Sequence, residues 1–293
     1  MHLYLLSRSA ALYSTKSLLK AGRRAGHHVQ VIDHTRCNLL LDKRPTVHYD
    51  GETLRTPDAI LPRIGASVTA VGVRVIQHFE AAGVYSAVRA AALDQARDKL
   101  RSLQLLQRAD VPVPRSFFLH DLRQLPDAID RLGGTPLIVK LLESTHGAGV
   151  ILAESAAGAI SVVEAFVRNH QPVLLQEYIR EAAGADLRVL VVGGRVVAAM
   201  ERRAAAGEFR SNLHRGATGA AVQLSPSEEK IAIHAARVLR LGVAGVDLLR
   251  SSRGPLVIEV NASPGLEGIE THTGVDVAGH IIRHIEAQFA QHP

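Results

Sequence analysis

A chain of 293 residues can bury about three quarters of its unfolded surface and sits near the size at which single cores divide, so two or three lobes are expected. Its 47% apolar and 21% charged residues exclude a disordered or low-complexity protein. No apolar run is long enough to cross a bilayer, and Ser7 and Arg8 interrupt the N-terminus too early for a secretory signal. The single cysteine, Cys37, excludes an intramolecular disulfide and a multi-cysteine zinc site, which points to a reducing cytoplasm, and it reads as a small buried hydrophobe. The formal net charge of +6 favours acidic partners or reflects a solvated basic surface, while five Tyr, six Phe and no Trp supply base stacking poorly.

In chain order, "HLYLL" reads as a strand, "STKSLLKAGRRAG" as a helix with Ser14 as N-cap and Gly26 near its end, and "HVQVID" as a second strand. "AILPRIG" is a third strand, followed by a helix over about 68–82. Strands alternating with helices predict a parallel sheet whose ligands meet the carboxyl ends of the strands, where Ser7, Arg8 and Arg63 fall; loop polarity explains these three residues equally well. One long helix is predicted over 93–109, ended by the prolines of "VPVP". Next come a strand ending in Lys140, a glycine-containing loop, a strand, the helix "AISVVEAFVRN" and the strand "PVLLQEYI". The last third is built on two hairpins joined by the helix "PSEEKIAIHAARVLRLG", the first turning at Gly193-Gly194, and a helix over about 275–289 ends the chain.

Three constellations could carry chemistry. In "GPLVIEVNASPG", Glu259 and Asn261 share one face of an apolar strand, and Asp247 lies on the strand before it. Three oxygen donors without sulfur suit magnesium. Direct pairing of Arg250 with Pro255 would turn Asp247 away from Glu259, so an odd-length turn or a bulge, placed near 251–254, is required. The competing reading is a pair of exposed edge charges. Lys140 precedes "ESTHGAG", where Gly147 and Gly149 would let backbone N–H groups approach a phosphate; this is not a P-loop, because the lysine comes first. The stretch "ERRAAAGEFRSNLHRG" gathers Arg202, Arg203, Arg210 and Arg215 with Asn212 and His214, which suits an anionic substrate or a solvated basic loop. His280 and His284 stand four apart but lack the metalloprotease glutamate and read as surface histidines; no G-x-S-x-G elbow occurs and Cys37 has no base beside it.

Taken together, "ARDKLRSLQLL", "PLIVKLLESTHGAGV", "LLQEYI", "DLRVLVVGGRVVAAMERR", "FRSNLHRG" and "GVDLLRSSRGPLVIEVNASPGLEGIE" resemble the RimK-type ATP-grasp ligases, the bacterial glutamate ligases in particular. The resemblance implies an α/β protein with the ATP-grasp fold: an N-terminal parallel-sheet pre-ATP-grasp domain (1–93), a central lobe (94–180) and a C-terminal lobe (181–293), with ATP between the lobes. It further implies that Lys140 contacts the ATP phosphates, that Glu177 and Tyr178 lie on the segment holding adenine, and that Asp186, Arg210, Ser211 and Asn212 complete the nucleotide site. Asp247, Glu259 and Asn261 would bind two Mg2+ or Mn2+ ions, and Arg210 and Arg203 would stabilise developing charge. The implied reaction is ATP-dependent addition of L-glutamate through an acyl phosphate, either to the C-terminal tail of a small-subunit ribosomal protein or into free polyglutamate. A cytoplasmic homo-oligomer, as a tetramer, without membrane attachment is expected. The rivals are an ATP-grasp ligase of another amino-acid pathway and a non-catalytic nucleotide or nucleic-acid binding protein.

Overall fold

The computed structural model describes residues 1–142, 149–213 and 216–291. The N-terminal part contains β1 (His2–Leu6), α1 (Tyr13–Arg24), β2 (His28–Ile32), the meander β3 (Asn38–Leu40), β4 (Thr46–Tyr49) and β5 (Glu52–Thr53), then β6 (Ala59–Pro62), α2 (Thr69–Ala81) and β7 (Tyr85–Ser86). The parallel sheet runs β2-β1-β6-β7. Helix α1 buries Thr15, Leu18, Ala21 and Gly22, one stripe at helical spacing. A Cβ on Gly22 would stand 2.6 Å from Val29, so only glycine lets this helix lie so close on the sheet. Ser14 is not the N-cap: that position is Leu12, and the Ser14 hydroxyl instead accepts a hydrogen bond from the N–H of Leu266, 3.0 Å away and 252 residues on. The sheet brings Ser7, Arg8 and Arg63 to one edge, as its parallel topology requires.

The predicted single helix is two: α3 (Ala90–Arg97) and α4 (Lys99–Arg108). Asp98 leaves the helical region (φ −77°, ψ 103°) and its side chain accepts from the N–H of Arg101 at 2.9 Å, capping α4. The expected domain boundary at 93/94 falls within α3. The central lobe follows with β8 (Ser116–Leu119), α5 (Leu125–Arg131), β9 (Leu137–Leu141), β10 (Val150–Ala153), α6 (Ala156–Arg168) and β11 (Val173–Glu177), an antiparallel sheet in the order β10-β9-β11-β8. Leu137, Val139, Val173 and Leu175 join Ala128, Ile129, Ala159 and Val163 of the two helices in a core of their own. Strand alternation therefore turns Ile138, Lys140, Leu174 and Gln176 to the face without helices.

The C-terminal lobe contains β12 (Ala185–Val192), β13 (Arg195–Arg203), β14 (Thr218–Ala221), α7 (Pro226–Val238), β15 (Val243–Ser251), β16 (Gly254–Asn261), α8 (Glu267–Thr273) and α9 (Val277–Phe289). Its sheet runs β14-β13-β12-β15-β16, and the Gly193-Gly194 turn has positive φ at both residues. One face, through Leu187, Val189, Val246 and Leu248, packs on α7. The other is divided along its length. Leu190, Val192, Ala198, Met200 and Val243 at one end are covered by α8 and α9, while polar residues occupy the remaining end. Both faces of the N-terminal sheet share cores with this lobe, Tyr4 and Ile60 with α7's cluster, Leu3 and Leu61 with α9's. Strand β14 and helix α8 are absent from the sequence reading because "TGAA" and "EGIETHT" are short and carry no apolar period.

Candidate active site

The β15–β16 hairpin answers the register question. Ser251 pairs with Gly254 and Arg250 with Pro255, the arrangement that would separate the acids, but a bulge between Asp247 and Leu248 leaves Ile258 unpaired. Beyond it Asp247 lies directly across from Glu259, and Gly245 from Asn261. The three donors thus share one face, as required, but the bulge sits at Ile258 and the turn itself is a regular two-residue turn. Facing pairs of this kind stand about 5 Å apart at Cβ. Asn261 Nδ2 donates to the Gly245 carbonyl at 3.4 Å, which leaves Oδ1 as its free acceptor. Gly245 is needed here: a Cβ would meet Pro264 at 2.7 Å, and Pro264 belongs to the loop that folds back beside Asn261.

Asp247 is buried, and the polar row continues from it across the sheet. Arg188 grips it with both Nε and Nη2, the latter at 2.7 Å, and Arg202 Nη2 lies 3.1 Å away. Burial alone would raise the Asp247 pKa; the two guanidiniums outweigh it and hold the carboxyl below its usual range. Arg202 also binds Asp186 bidentately at 2.7 and 2.6 Å, and Ser211 Oγ donates to the same carboxylate at 2.6 Å. Glu259 is exposed, and among the described residues nothing hydrogen-bonds its carboxylate. An ionised buried acid, an exposed acid opposite it and a free carboxamide oxygen fit a hard divalent cation by the chemistry of the donor set. Among the described residues no group of three or more His, Cys, Asp or Glu gathers anywhere, and this site offers two acids and a carboxamide.

Lys140 approaches from the central lobe. Its Nζ donates to Gln176 Oε1 at 2.7 Å, and Gln176 in turn donates to Ser116 Oγ at 2.8 Å, which fixes the lysine's direction. Burial lowers its pKa to about 8, against the pull of Glu259 and Asp247. Lys99 opens α4 and donates to the Leu142 carbonyl at 2.8 Å; burial lowers its pKa too, again against Glu259. Two ammonium groups therefore sit within electrostatic reach of Glu259 across the cleft. Lys99 lies within the stretch "ARDKLRSLQLL" but is given no role by the sequence reading; the break at Asp98 places it at the start of α4. Gln176 and Arg188 likewise lie in quoted stretches without an assigned role, because only the strand pairing shows that they face Lys140 and Asp247.

Glu177 and Tyr178 line a recess of about 460 Å³ with Arg115, Ile179, Glu181 and the 251–253 turn. Glu177 accepts from the Arg115 N–H and Nε at 2.7 and 3.0 Å and from Arg253, so its side chain ties this strand end to the β15–β16 turn. Arg210 binds Glu208 at 2.9 and 2.7 Å and reaches the Val150 carbonyl at 3.3 Å, linking the two lobes. Asn212 follows Ser211 on the same segment, half-buried. Arg203 is not brought into this cleft. One residue along β13 from Arg202, it points to the other face, exposed, with its guanidinium on Glu201 at 2.6 Å. Gly147, His146 and Ala148 of the glycine loop, and His214 and Arg215, lie outside the described residues. His284 is half-buried rather than fully exposed: its ring is wedged where a Cβ on Gly193 or Gly242 would stand. Cys37 is half-buried, and burial, with Asp33 and Asp50, pushes its thiol up to about 11, which suits an inert side chain.

The family model of the RimK pre-ATP-grasp domain matches residues 1–93, and that of the RimK-like ATP-grasp domain matches residues 96–285. The chain belongs to the RimK-like ATP-grasp family. It is 53% identical over 293 residues to a probable alpha-L-glutamate ligase of Thioalkalivibrio sulfidiphilus, covering 100% of this chain and 97% of the relative. A probable alpha-L-glutamate ligase of Vibrio cholerae is 52% identical over 291 residues, covering 99% and 97%. Among solved structures, the RimK domain protein ATP-grasp from Sphaerobacter thermophilus superposes with a TM-score of 0.74 at 23% identity over 97% of this chain and 99% of that one. The ATP-grasp ligase PsnB, solved with a phosphomimetic variant of its minimal precursor, Mg and ADP, gives 0.75 at 23% identity over 98% of each chain. These likenesses establish the ATP-grasp fold.

Proposed function

We propose that this chain is an ATP-dependent α-L-glutamate ligase whose chemistry takes place between the Lys140 wall of the central lobe and the Asp247–Glu259–Asn261 edge of the C-terminal lobe. The observation that carries the reading is that opposition: two ammonium groups facing a paired set of oxygen donors, in a chain alike over its whole length to relatives named for this activity. Lys140 and Lys99 bind the triphosphate. Glu177 and Tyr178 border the adenine, with Glu177 acting through the strand end it anchors. Asp186, Ser211, Asn212 and Arg210 complete the nucleotide site, and Asp247, Glu259 and Asn261 hold one or two divalent cations, magnesium or manganese. Bound there, such ions would neutralise phosphate charge.

The acceptor's carboxylate attacks the γ-phosphorus, breaking its bond to the β-phosphate oxygen and giving an acyl phosphate and ADP. The amine of L-glutamate then attacks the acyl carbon, loses a proton and expels phosphate, leaving a peptide bond. Both steps transfer charge onto oxygen, so preorganised cations do the work and no nucleophile of the protein is needed. Arg210, which already spans the two lobes, is the arginine assigned to the developing charge; Arg203 faces away. The acceptor proposed is the C-terminal tail of a small-subunit ribosomal protein or a free glutamate chain, and the three stretches 1–93, 94–180 and 181–293 are proposed to act as substrate, nucleotide and metal-bearing units. Amino-acid-dependent ADP release over a panel of amino acids, followed by mass spectrometry of ribosomal proteins incubated with the enzyme, tests this. Glutamate alone should drive turnover and lengthen the acceptor by whole glutamate residues. Turnover with another amino acid, or none at all, overturns the reading.

A further inference from the structure

Two guanidiniums beside this site have no salt-bridge partner among the described residues. Arg63 follows β6, and its Nη2 donates to the Pro264 carbonyl at 2.6 Å; Arg97 ends α3, and its Nη2 donates to the Ile64 carbonyl at 2.5 Å. Both are half-buried, and among the described residues neither is ion-paired to a carboxylate. Burial, followed by the charge of Arg97, lowers the Arg63 pKa to about 10, and burial lowers that of Arg97 against the attraction of Glu259. A third guanidinium, Arg8, stands 3.4 Å from the place a Cβ would take on Gly65.

Unpaired buried polar atoms occur on the segments that carry or bind these arginines. Among the described residues, the buried side-chain atoms without a partner are Nδ1 and Nε2 of His34, Nε of Arg97 and Oγ of Ser263. Arg97 is bonded to Ile64, Ser263 precedes the residue that holds Arg63, and His34 is close enough to Arg8 to feel its charge. Buried polar groups are nearly always satisfied. With no ion-paired carboxylate among the described residues, the Arg63 and Arg97 guanidiniums are suited to receive an anion.

We propose that Arg63 and Arg97 form a carboxylate subsite that holds the amino-acid substrate by its own carboxylates. This rests on the glutamate-ligase reading, under which that substrate is L-glutamate. The triphosphate is the other anion available, but Lys140 meets it from the central lobe, whereas Arg63 follows β6 of the N-terminal sheet and is tied to the Pro264 carbonyl beside the metal-binding edge. Fork-shaped guanidiniums bind carboxylates bidentately, and a site built to meet a carboxylate rejects the corresponding amide.

The test compares the wild type with R63Q and R63K. Turnover is measured with glutamate, glutamine and ATP varied in turn, and glutarate, a dicarboxylate without an amine, is titrated into each protein calorimetrically. R63Q should raise the KM for glutamate on the order of 10²-fold, leave the KM for ATP within about threefold, erase the preference for glutamate over glutamine and abolish glutarate binding. R63K keeps the charge without the fork and should fall between, about tenfold above wild type, which decides the matter if R63Q does not fold. An unchanged KM for glutamate in both variants overturns the subsite while leaving the ligase standing. A rise confined to ATP overturns it in favour of the triphosphate. Arg63-dependent glutarate binding by a wild type that does not turn over glutamate upholds the carboxylate subsite and defeats the ligase reading instead.

Discussion

Asp247 is clamped beneath Arg188 and Arg202, whereas Glu259, its cross-strand neighbour, is exposed to the cleft, so the same chemistry should fail in two ways when each is neutralised. Asp247→Asn leaves two buried guanidiniums short of a partner and should cost about 3–5 kcal/mol of stability as well as activity. Glu259→Gln removes no contact of the fold and should leave the urea midpoint unchanged while kcat falls on the order of 10²-fold; equal losses of stability in the two variants would contradict the division. Because the Asp247 pKa is depressed in the fold, its contribution is complete above the unfolded value of about 4 and is lost as pH falls through the lower folded value. Lys140 has the opposite sign. Its folded pKa of about 8 lies below the ordinary 10.5, so the protonated form is disfavoured in the fold, and the penalty is complete below pH 8 and shrinks as pH rises from there towards 10.5. Lys140→Met should therefore melt no earlier than wild type at pH 7, lose the gain in stability between pH 8 and 10, and lower kcat/KM for ATP on the order of 10²-fold, since its charge serves a phosphate rather than the core. Earlier melting together with unchanged kinetics would make Lys140 structural.

At the scale of elements, the break between α3 and α4 places Arg97 and Lys99 on either side of Asp98, where an unbroken helix would have set them about 200° apart around its axis. Asp98→Ala removes the cap, should cost about 1 kcal/mol in a urea titration, and should raise the KM for ATP severalfold through fraying of the turn that carries Lys99. Stability lost without any change in KM would show that Lys99 keeps its place unaided. The sequence reveals β1, β2, β6, both C-terminal hairpins and the shared face of Asp247, Glu259 and Asn261, because each rests on alternation or on a glycine turn, which are local. It does not reveal the break at Asp98, where the apolar period runs straight through and the cap competes only by tertiary placement of the two basic residues. Nor does it locate the bulge at Ile258, since parity demands one irregularity between Arg250 and Asp247 but says nothing of where. Adjacent Arg202 and Arg203 on a strand must split between faces, and only the sheet's partners decide that Arg202 rather than Arg203 meets the acids.

Across the whole molecule, the central lobe has a core of its own, whereas the N-terminal sheet and the C-terminal lobe share two. Its ties to them include polar contacts near the cleft: Arg253 on Glu177, Arg210 on the Val150 carbonyl and Lys99 on the Leu142 carbonyl. The chain as a whole carries a formal charge of +6, and exposed Arg8 and Arg203 add to it without contacting the carboxylate row. A basic exterior draws an acidic chain by long-range attraction, which fades over about 8 Å at physiological ionic strength, while contacts enclosed in a cleft are screened far less. The KM for a glutamate-rich acceptor should therefore rise steeply between roughly 50 and 300 mM salt, and the KM for ATP, met by buried lysines, should rise much less. Steady-state kinetics with each substrate varied at fixed saturating levels of the others gives both slopes. Parallel slopes would mean that the net charge plays no part in gathering the acceptor, and that the acidic chain is recognised only by groups inside the cleft.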